Sequence, residues 1–565
     1  MSDSKGLNKN KYIFCFCFRR IFKDRLLEPP QDVKDLFEQY SQNGIMSPVD
    51  LLKFLVEKQG EEDAKAGDAQ AIFNSLKHLN IFQRKGLDLE AFFRYLIGDL
   101  NVALSPTPKK LHDMTAPLSH YFIYTSHNTY LTGNQLSSDS SDEPIKAALR
   151  QGVRVIELDL WPSSKNDNVE VRHGGTLTAP VDLIKCLHII KNNAFIASEY
   201  PVVITFEDHL TAHLQAKVAN MVTETFGEML FCPKSDQMDK FPSPETLKKK
   251  ILISTKPPKE YLESHKSREK ATRQKSRKSP KKEQSEDEKD QLGEQDHLPD
   301  EDEENTASEY RNVIAIHAGK PKGPSENWLS IDPNRVRRLS LSEQELENAA
   351  RTQGEEIIRF TQQNFLRVYP RGIRLDSSNY NPFVGWMHGA QMVAFNMQGY
   401  GKNLWVMKGM FKANGGRGYV KKPKFLLEPD CHPVQKTLKI KVYMGEGWDL
   451  DFRRTHFDLY SPPDFFVKIS VVGAKTDKAN GQTKVVEDDW LPVWNEEFEF
   501  QLNVYELAIL RIEVHEYDTS GKHDFGGQTC LPVSELRTGI RAVPLHNRKG
   551  EQFKHVRLLM EFEIV

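Results

Sequence analysis

The chain reads as a multidomain protein: a small α-helical domain, then an α/β barrel split into two halves, then an all-β sandwich. Three observations predict that order. Apolar residues recur at helical spacing near the N-terminus, short apolar strands alternate with helical stretches through the middle, and period-two strands fill the C-terminal part. A length of 565 residues agrees, because one hydrophobic core rarely organises so long a chain.

Residues 1–25 read as a tail. Its apolar stretch, Tyr12 to Phe18 followed by Arg19 and Arg20, is too short to span a bilayer and reverses the charge order of a signal peptide. Its mixture of aromatic, Cys and Arg residues suits a membrane interface, with Cys15 or Cys17 as a lipid acceptor, against the plainer reading of a disordered tail. Ser2 excludes N-myristoylation.

Residues 26–104 form the helical domain, with Val33, Leu36, Phe37, Leu51, Leu52, Leu55, Phe92, Phe93 and Leu96 spaced at three and four. Two helix pairs have the outline of EF-hands. Setting Gly44 at the sixth loop position puts Gln39, Ser41, Asn43 and Asp50 at ligand positions, without a bidentate Glu, and the loop around Gly86 is poorer still. EF-hand-like packing is therefore expected rather than calcium binding.

Residues 105–256 carry the strands YFIYTSHN, RVIELDLW, VEVRHGG, PVVITFED and KILIST, and residues 311–428 carry NVIAIHA, NFLRVYP, GAQMVAFNM and GYVKKP. Two runs of about four strands, alternating with helices, suit one closed eight-stranded parallel barrel. Between them, residues 257–310 are charged and nearly free of apolar side chains, which predicts disorder. This linker is basic first (Lys270 to Lys282) and acidic later (Asp296, Asp300 to Glu304), and a solvated spacer is favoured over a regulatory lid. Residues 429–565 supply short alternating strands with acidic connections, as in a sandwich.

Charged residues make up 28% of the chain, yet the formal net charge is −2, so no global field favours nucleic acid. Six cysteines in this length make no disulfide framework and no closed zinc site, which suits a reducing compartment.

The chemistry concentrates at strand ends. In RVIELDLW the two-residue period turns Glu157 and Asp159 to one face, and two carboxylates pointing into a barrel need a cation. His127 and Asn128 end the first strand, His173 ends VEVRH and Glu207 ends PVVITFE, which puts all of them at the C-terminal rim where barrels keep their active sites. Asn128, Glu157, Asp159 and Glu207 offer only oxygen ligands, which suits Ca2+ rather than zinc. Both histidines stay free for proton and charge work.

The strings SHNTYLTGNQL, ELDLW, RHGG and FEDH resemble the X half of eukaryotic phosphoinositide-specific phospholipase C, and RVYPRGIRLDSSNYNP with GYVKKP resembles its Y half. The resemblance runs from an EF-hand-like region through a split TIM-type barrel to a β-sandwich C2 domain, covers nearly all residues beyond Leu26, and has no pleckstrin-homology domain ahead of it, as in plant members. It implies a phosphoric diester hydrolase that cleaves phosphatidylinositol 4,5-bisphosphate into diacylglycerol and inositol 1,4,5-trisphosphate through a cyclic phosphodiester. Calcium on Asn128, Glu157, Asp159 and Glu207 would lower the pKa of the inositol 2-hydroxyl. Glu157 or Glu207 would act as base, His127 would stabilise charge and His173 would protonate the leaving oxygen. Lys256, Ser340 and Arg367 would bind ring phosphates, with Tyr369 against the inositol face. One departure stands out: Ser254 occupies a position where animal relatives carry a second lysine, which puts the preference for the bisphosphate in question.

In the C2-like region, Asp458 and Asp464, then Asp488 and Asp489, then Glu516, Asp518 and Asp524 fall on three loops and resemble calcium loops that dock on anionic lipid. The resemblance implies phosphoinositide lipids as partners, a monomer, and a cytoplasmic protein peripheral to the cytosolic face of the plasma membrane. No G-protein-binding extension or SH2-like insert names a protein partner. Two competing readings remain: another barrel phosphodiesterase such as a glycerophosphodiester hydrolase, for which the Y strings and sandwich have no purpose, and a catalytically dead lipid-binding scaffold, which would have lost one of the histidines or carboxylates present here.

Overall fold

A computed structural model describes residues 9–14, 18–23, 27–76, 86–105, 108, 111–233, 238–258, 308–320, 325–519 and 521–565. Cys15, Cys17 and linker residues 259–307 lie outside the described residues, and so do the readings attached to them. The described tail is an antiparallel backbone hairpin, Lys9–Phe14 paired with Phe18–Lys23. The chain divides into two compact units: one holds the helical domain, residues 400–416 and the C-terminal sheet, and the other holds residues 112–399 with 417–422.

In the first unit, four helices (Gln31–Tyr40, Pro48–Glu57, Ala66–Leu76 and Leu89–Ile97) bury Val33, Phe37, Leu51, Phe54, Phe92 and Phe93 in one cluster. The second helix begins with a capping box in which Ser47 Oγ accepts from Asp50 N while Asp50 Oδ2 accepts from Ser47 N at 3.0 Å, with Pro48 next to the cap. Asp50 is thereby committed to holding a helix end. The two loops pair through reciprocal 2.8 Å hydrogen bonds between Met46 and Leu87, and a Cβ at Gly86 would meet the Met46 carbonyl at 2.6 Å, so only glycine lets the loops approach.

The C-terminal domain is an antiparallel eight-stranded sheet with the order 479–482, 465–472, 509–516, 524–532, 539–546, 552–564, 436–446, 493–502. It wraps a core that includes Trp448, Phe465, Ile512, Val543 and Leu558. Tyr443, Met444, Ile540 and Leu559 of this sheet join the apolar cluster of the helices. Residues 400–416 also belong to this unit: helix Lys402–Met410 lies on the sheet, with Trp405 Nε1 donating to Arg548 O at 2.8 Å.

The second unit is a nearly closed parallel barrel. Its staves are β1 (Thr125–Ser126), β2 (Val155–Pro162), β3 (Val202–Asp208), β4 (Ile251–Thr255), β5 (Ile314–His317), β6 (Arg338–Ser342), β7 (Phe365–Tyr369) and β8 (Met392–Phe395). They run in the order β5-β4-β3-β2-β1-β8-β7-β6, and a bridge between Ala318 and Arg338 approaches closure between β5 and β6. Ile123, Val155, Val203, Leu252, Phe365 and Met392 fill the floor. Two expected staves are not staves: Val169–Val171 pairs antiparallel with β2 and with Val181–Asp182, and Tyr419–Lys421 pairs antiparallel with Tyr121–Ile123 under the barrel. The other seven expected strands are staves, and the eighth is β6, whose RLSLS sequence the apolar-run reading passes over. After the linker the fold resumes at 308–312, ahead of the expected boundary at 311, with Tyr310 fully buried.

Candidate active site

Strand geometry brings the predicted residues to one rim. Parallel register sets Glu157 beside Thr205 and Asp159 beside Glu207, so the two inward carboxylates of β2 meet the end of β3. Glu157, Asp159 and Glu207 offer ligand oxygens within 4.8 Å of one another, and among the described residues this is the one acidic group that closes so tightly. Asn128 follows β1 in a left-handed conformation (φ 41°), tolerable for Asn, and its N–H donates to Glu157 Oε2 at 3.1 Å. Its amide Nδ2 donates to Gln135 Oε1 at 2.9 Å, which leaves the Asn128 carbonyl oxygen for a cation.

The electrostatics favour a bound divalent ion. Burial and the neighbouring Glu157 and Glu207 charges push the Asp159 carboxyl well above its usual range. Tyr130 donates to Asp159 Oδ2 at 2.7 Å, while Oδ1 is buried without a hydrogen-bond partner. Burial also works to raise Glu157, but Arg367, His127 and the Asn128 amide outweigh it and hold that carboxyl below its usual range. Three carboxylates and an amide oxygen with an orphaned acceptor among them fit calcium by charge and ligand type.

Each histidine is fixed through Nδ1. His127 Nδ1 lies 2.9 Å from Asn396 Oδ1 and His173 Nδ1 lies 2.7 Å from the Gln135 carbonyl. Both partners only accept, so the proton sits on Nδ1 and Nε2 is the nitrogen left for a substrate. Burial lowers the His127 pKa, with Arg367 and His173 acting the same way against Glu157 and Asn396.

Two adjoining cavities, of about 360 and 510 Å³, share His127, Glu207, His209 and Tyr369. The first takes in His173 and Asp159, and the second takes in Lys256, Ser340, Arg367 and Arg338. The three residues expected to bind ring phosphates, Lys256, Ser340 and Arg367, and Tyr369, expected against the inositol face, thus line one cavity. Arg367 donates to Glu157, and its guanidinium lies 5.3 Å from the Tyr369 ring centre. Ser254 is fully buried and turns its hydroxyl to the Ile316 carbonyl at 3.0 Å, so it offers the cavity nothing.

Sequence reasoning missed Gln135, Asn396, His209 and Arg338. Gln135 sat inside the quoted SHNTYLTGNQL string, but its role exists only in space. His209 stacks on Trp161 with ring centres 4.0 Å apart, and its Nε2 lies 3.1 Å from Glu207 Oε1.

Comparison with known proteins gives this geometry its family. Residues 114–257 and 324–425 match the X and Y domains of phosphatidylinositol-specific phospholipase C. Residues 24–103 match the efhand-like domain of phosphoinositide-specific phospholipase C, and residues 436–548 match the C2 domain. Phosphoinositide phospholipase C 2 of Arabidopsis thaliana is 54% identical over 585 residues, covering 99% of this chain and 100% of the relative. The chain belongs to the phosphoinositide-specific phospholipase C family. Within that family, phosphoinositide phospholipase C 1 of Arabidopsis thaliana is also 54% identical, covering 98% of this chain and 99% of that one. The 1-phosphatidylinositol 4,5-bisphosphate phosphodiesterase delta-3 of Mus musculus is 30% identical, over 96% of this chain and 69% of its own. The crystal structure of L. pealei PLC21 superposes with a TM-score of 0.72 at 26% identity, covering 94% of this chain and 68% of that one.

The C2 domain of this phospholipase C gathers a second acidic set. Asp464 Oδ1 accepts from Asp488 N at 2.7 Å, and β-pairing sets Glu516 opposite both Phe465 and Asp524. Burial first, then Asp524, Asp464, Asp458 and Asp518, push Glu516 up to about 8. Asp489 faces its own loop, accepting from Leu491 N at 2.9 Å. Among the described residues no helix is long and apolar enough to cross a membrane.

Proposed function

We propose that this phospholipase C cleaves phosphatidylinositol 4,5-bisphosphate into diacylglycerol and inositol 1,4,5-trisphosphate, with calcium held by Asn128, Glu157, Asp159 and Glu207. The supporting observation is a barrel mouth that unites three carboxylates, an amide and two Nδ1-fixed histidines beside a cationic cavity. Calcium bound there would acidify the inositol 2-hydroxyl and offset negative charge on the phosphoryl oxygens.

The remaining steps belong to side chains. Glu207 is the better-placed base, since both Glu157 oxygens are occupied, by Arg367 and by the Asn128 amide. It takes the 2-hydroxyl proton as that oxygen bonds phosphorus. His127, which needs a second proton on Nε2 and so acts as imidazolium with the phosphate as counter-charge, and the Arg367 guanidinium stabilise the crowded phosphoryl charge. The bond from phosphorus to the diacylglycerol oxygen breaks, and His173, entering the step as imidazolium with its second proton on Nε2, gives that oxygen the Nε2 proton and is left neutral with its Nδ1–H on Gln135 O. Water then opens the cyclic phosphate with roles reversed: His173 takes a proton from water and Glu207 returns one to the 2-oxygen.

The rim suits a lipid surface. Leu177 and Ile373 are 88% and 79% exposed, and Leu136 and Leu375 are also exposed. Hydrogen bonds from Leu177 N to Leu136 O and from Gln135 N to Leu375 O, both 2.9 Å, tie their loops together. Four apolar side chains around a polar mouth would enter the bilayer while the headgroup enters the cavity. Calcium at Asp458, Asp464, Asp488, Glu516, Asp518 and Asp524 would draw the C2 domain to anionic lipid at the cytosolic face of the plasma membrane. Release of inositol phosphate from bisphosphate-containing micelles, with calcium buffered across the micromolar range, tests the proposal. Calcium-dependent release that His127→Ala abolishes is expected. No release at any calcium level would favour a lipid-binding scaffold, and release from glycerophosphodiesters alone would favour the other phosphodiesterase class.

A further inference from the structure

Arg338 opens β6 at the wall of the larger cavity and is only 6% exposed. Its Nε is buried without a hydrogen-bond acceptor, and among the described residues no carboxylate lies within ion-pair distance of its guanidinium. The same wall carries Arg367, whose Nη2 pairs with Glu157 while its Nε also lacks an acceptor, and Lys320, which pairs with Glu345 at 2.6 Å and lies 3.7 Å from the Trp328 ring centre. A buried guanidinium without a partner is costly, and an anion entering the cavity would relieve that cost. Burial and nearby Arg367 bring Arg338 down to about 9 against the pull of Glu157 and Glu207, so it carries its charge at neutral pH.

We infer that Arg338 is a specificity-determining residue that binds a phosphate monoester on the inositol ring, supplying the second fixed cation that Ser254 does not. The inference rests on the proposed phosphoinositide activity. A planar fork matches phosphate oxygens in pairs, whereas Lys256, exposed at the same wall, acts as a point charge. The two groups reach the cavity from adjacent directions, because the Ala318 bridge and the Gly319 N–H to Arg338 O bond of 3.0 Å hold the start of β6 against the end of β5, itself paired with β4. Ser254, two residues before Lys256 on β4, is turned away. Selectivity for phosphorylated headgroups therefore depends on Arg338 of β6 beside Lys256, and not on position 254.

The experiment compares the full chain with Arg338→Met, Arg338→Lys and the double variant Arg338→Met with Ser254→Lys. Calorimetric titration with inositol 1,4,5-trisphosphate, inositol 1-phosphate and inorganic phosphate reads binding without turnover. kcat/KM on phosphatidylinositol and on its bisphosphate, at saturating calcium, reads selectivity. Arg338→Met is expected to weaken trisphosphate binding by at least about tenfold, to leave binding of the other two anions within about threefold, and to lower kcat/KM on the bisphosphate by at least about tenfold more than on phosphatidylinositol. Arg338→Lys or the added Ser254→Lys should recover part of the loss. Equal losses on both lipids, or a loss that higher calcium reverses, would overturn the inference by making Arg338 a counter-charge to Glu157 and Glu207. An unfolded Arg338→Met protein passes the decision to Arg338→Lys, for which unchanged trisphosphate affinity and lipid ratio, with Ser254→Lys in the wild-type background adding no affinity, would overturn it. If the wild-type chain cleaves neither lipid, the proposed function fails, and the titrations still decide the role of Arg338.

Discussion

Gln135 organises the site although it touches none of the reacting atoms in the proposed chemistry. Its Oε1 orients the Asn128 amide, its Nε2 donates to Ser377 Oγ at 2.8 Å and to Asn396 Oδ1 at 3.2 Å, and its carbonyl fixes His173. Outer partners of this kind typically set metal affinity by about 10–100-fold. Gln135→Leu is therefore expected to raise the calcium needed for half-maximal activity by about that factor, while Gln135→Glu, which keeps an acceptor for Asn128, loses less. Activity against buffered calcium checks this, and an unshifted midpoint would refute it. His173 has a different signature. As the proposed general acid it matters only while the leaving oxygen needs a proton, so His173→Ala should cost about 10²–10⁴ in kcat on lipid and far less on an inositol phosphate bearing a nitrophenyl leaving group. Equal losses on the two substrates would remove the acid role. These histidines and carboxylates were legible because a strand's two-residue period and its C-terminal end are visible in one line of sequence. Gln135 and Arg338 were not, since a loop glutamine and a polar strand start gain their meaning only from what the fold sets against them.

Helix Lys402–Met410 shows how an element can belong to a neighbour its sequence does not announce. It lies in the stretch assigned to the second half-barrel, yet Lys402 pairs with buried Glu513 at 2.9 Å, Lys408 Nζ donates to Lys549 O at 2.7 Å, and a Cβ on Gly409 would come 2.5 Å from that of Cys530. Gly409→Val should therefore lift the helix from the sheet and lower the unfolding temperature, and a melt matching wild type would show the contact to be slack. Burial works to raise the Glu513 carboxyl, but His515, Lys402 and Arg511 outweigh it and hold it down at about 2. The unfolded chain takes up that proton near pH 4, so this pair stabilises fully above about pH 5 and its contribution is lost as pH falls toward 2. The expected size is on the order of 2–3 kcal/mol, which Glu513→Gln should remove at pH 7 and leave nearly unfelt at pH 2. Denaturant melts across that range check it, and a difference that does not shrink with acid would contradict the pairing. Strand β6 escaped notice for a related reason. Its inward side chains, Arg338 and Ser340, are polar, so a search for apolar runs slides over it, while apolar VEV and GYV were counted as staves although both pair antiparallel.

At the scale of the chain, composition and periodicity disclosed the three kinds of architecture, but not that the helical domain and the C2 sheet share one interior. That union depends on a polar knot. Arg541, fully buried, donates to Glu61 at 2.9 Å, Asn101 Oδ1 at 2.8 Å, the Gln59 carbonyl at 2.8 Å and its own turn at Thr538 O. Gln59, also fully buried, completes the knot by donating to Asn101 Oδ1 at 3.0 Å and to the Ile540 carbonyl at 2.8 Å, and by accepting from Ile540 N at 2.6 Å. No local pattern marks these residues, because the partners of Arg541 in the helical domain are more than 400 positions away. Arg541→Leu would leave Glu61 with Arg537 alone and Asn101 Oδ1 with Gln59 alone, and would unpair the buried Gln59 carbonyl, a partial defect that should cost about 1–3 kcal/mol. Because the helices and the sheet bury apolar residues in common, they should melt together in the wild type, by far-UV ellipticity for the helices and by fluorescence of Trp448, Trp490 and Trp494 for the sheet. In Arg541→Leu the helical transition should fall to a lower temperature and separate from the tryptophan transition. Because Arg537 also pairs with Glu61, adding Glu61→Leu takes that partner from Arg537 and should deepen the loss by less than Glu61→Leu costs alone, the coupling being read from the double-mutant cycle. Coincident transitions at the wild-type temperature in the single variant would mean that apolar packing alone joins the helices to the sheet.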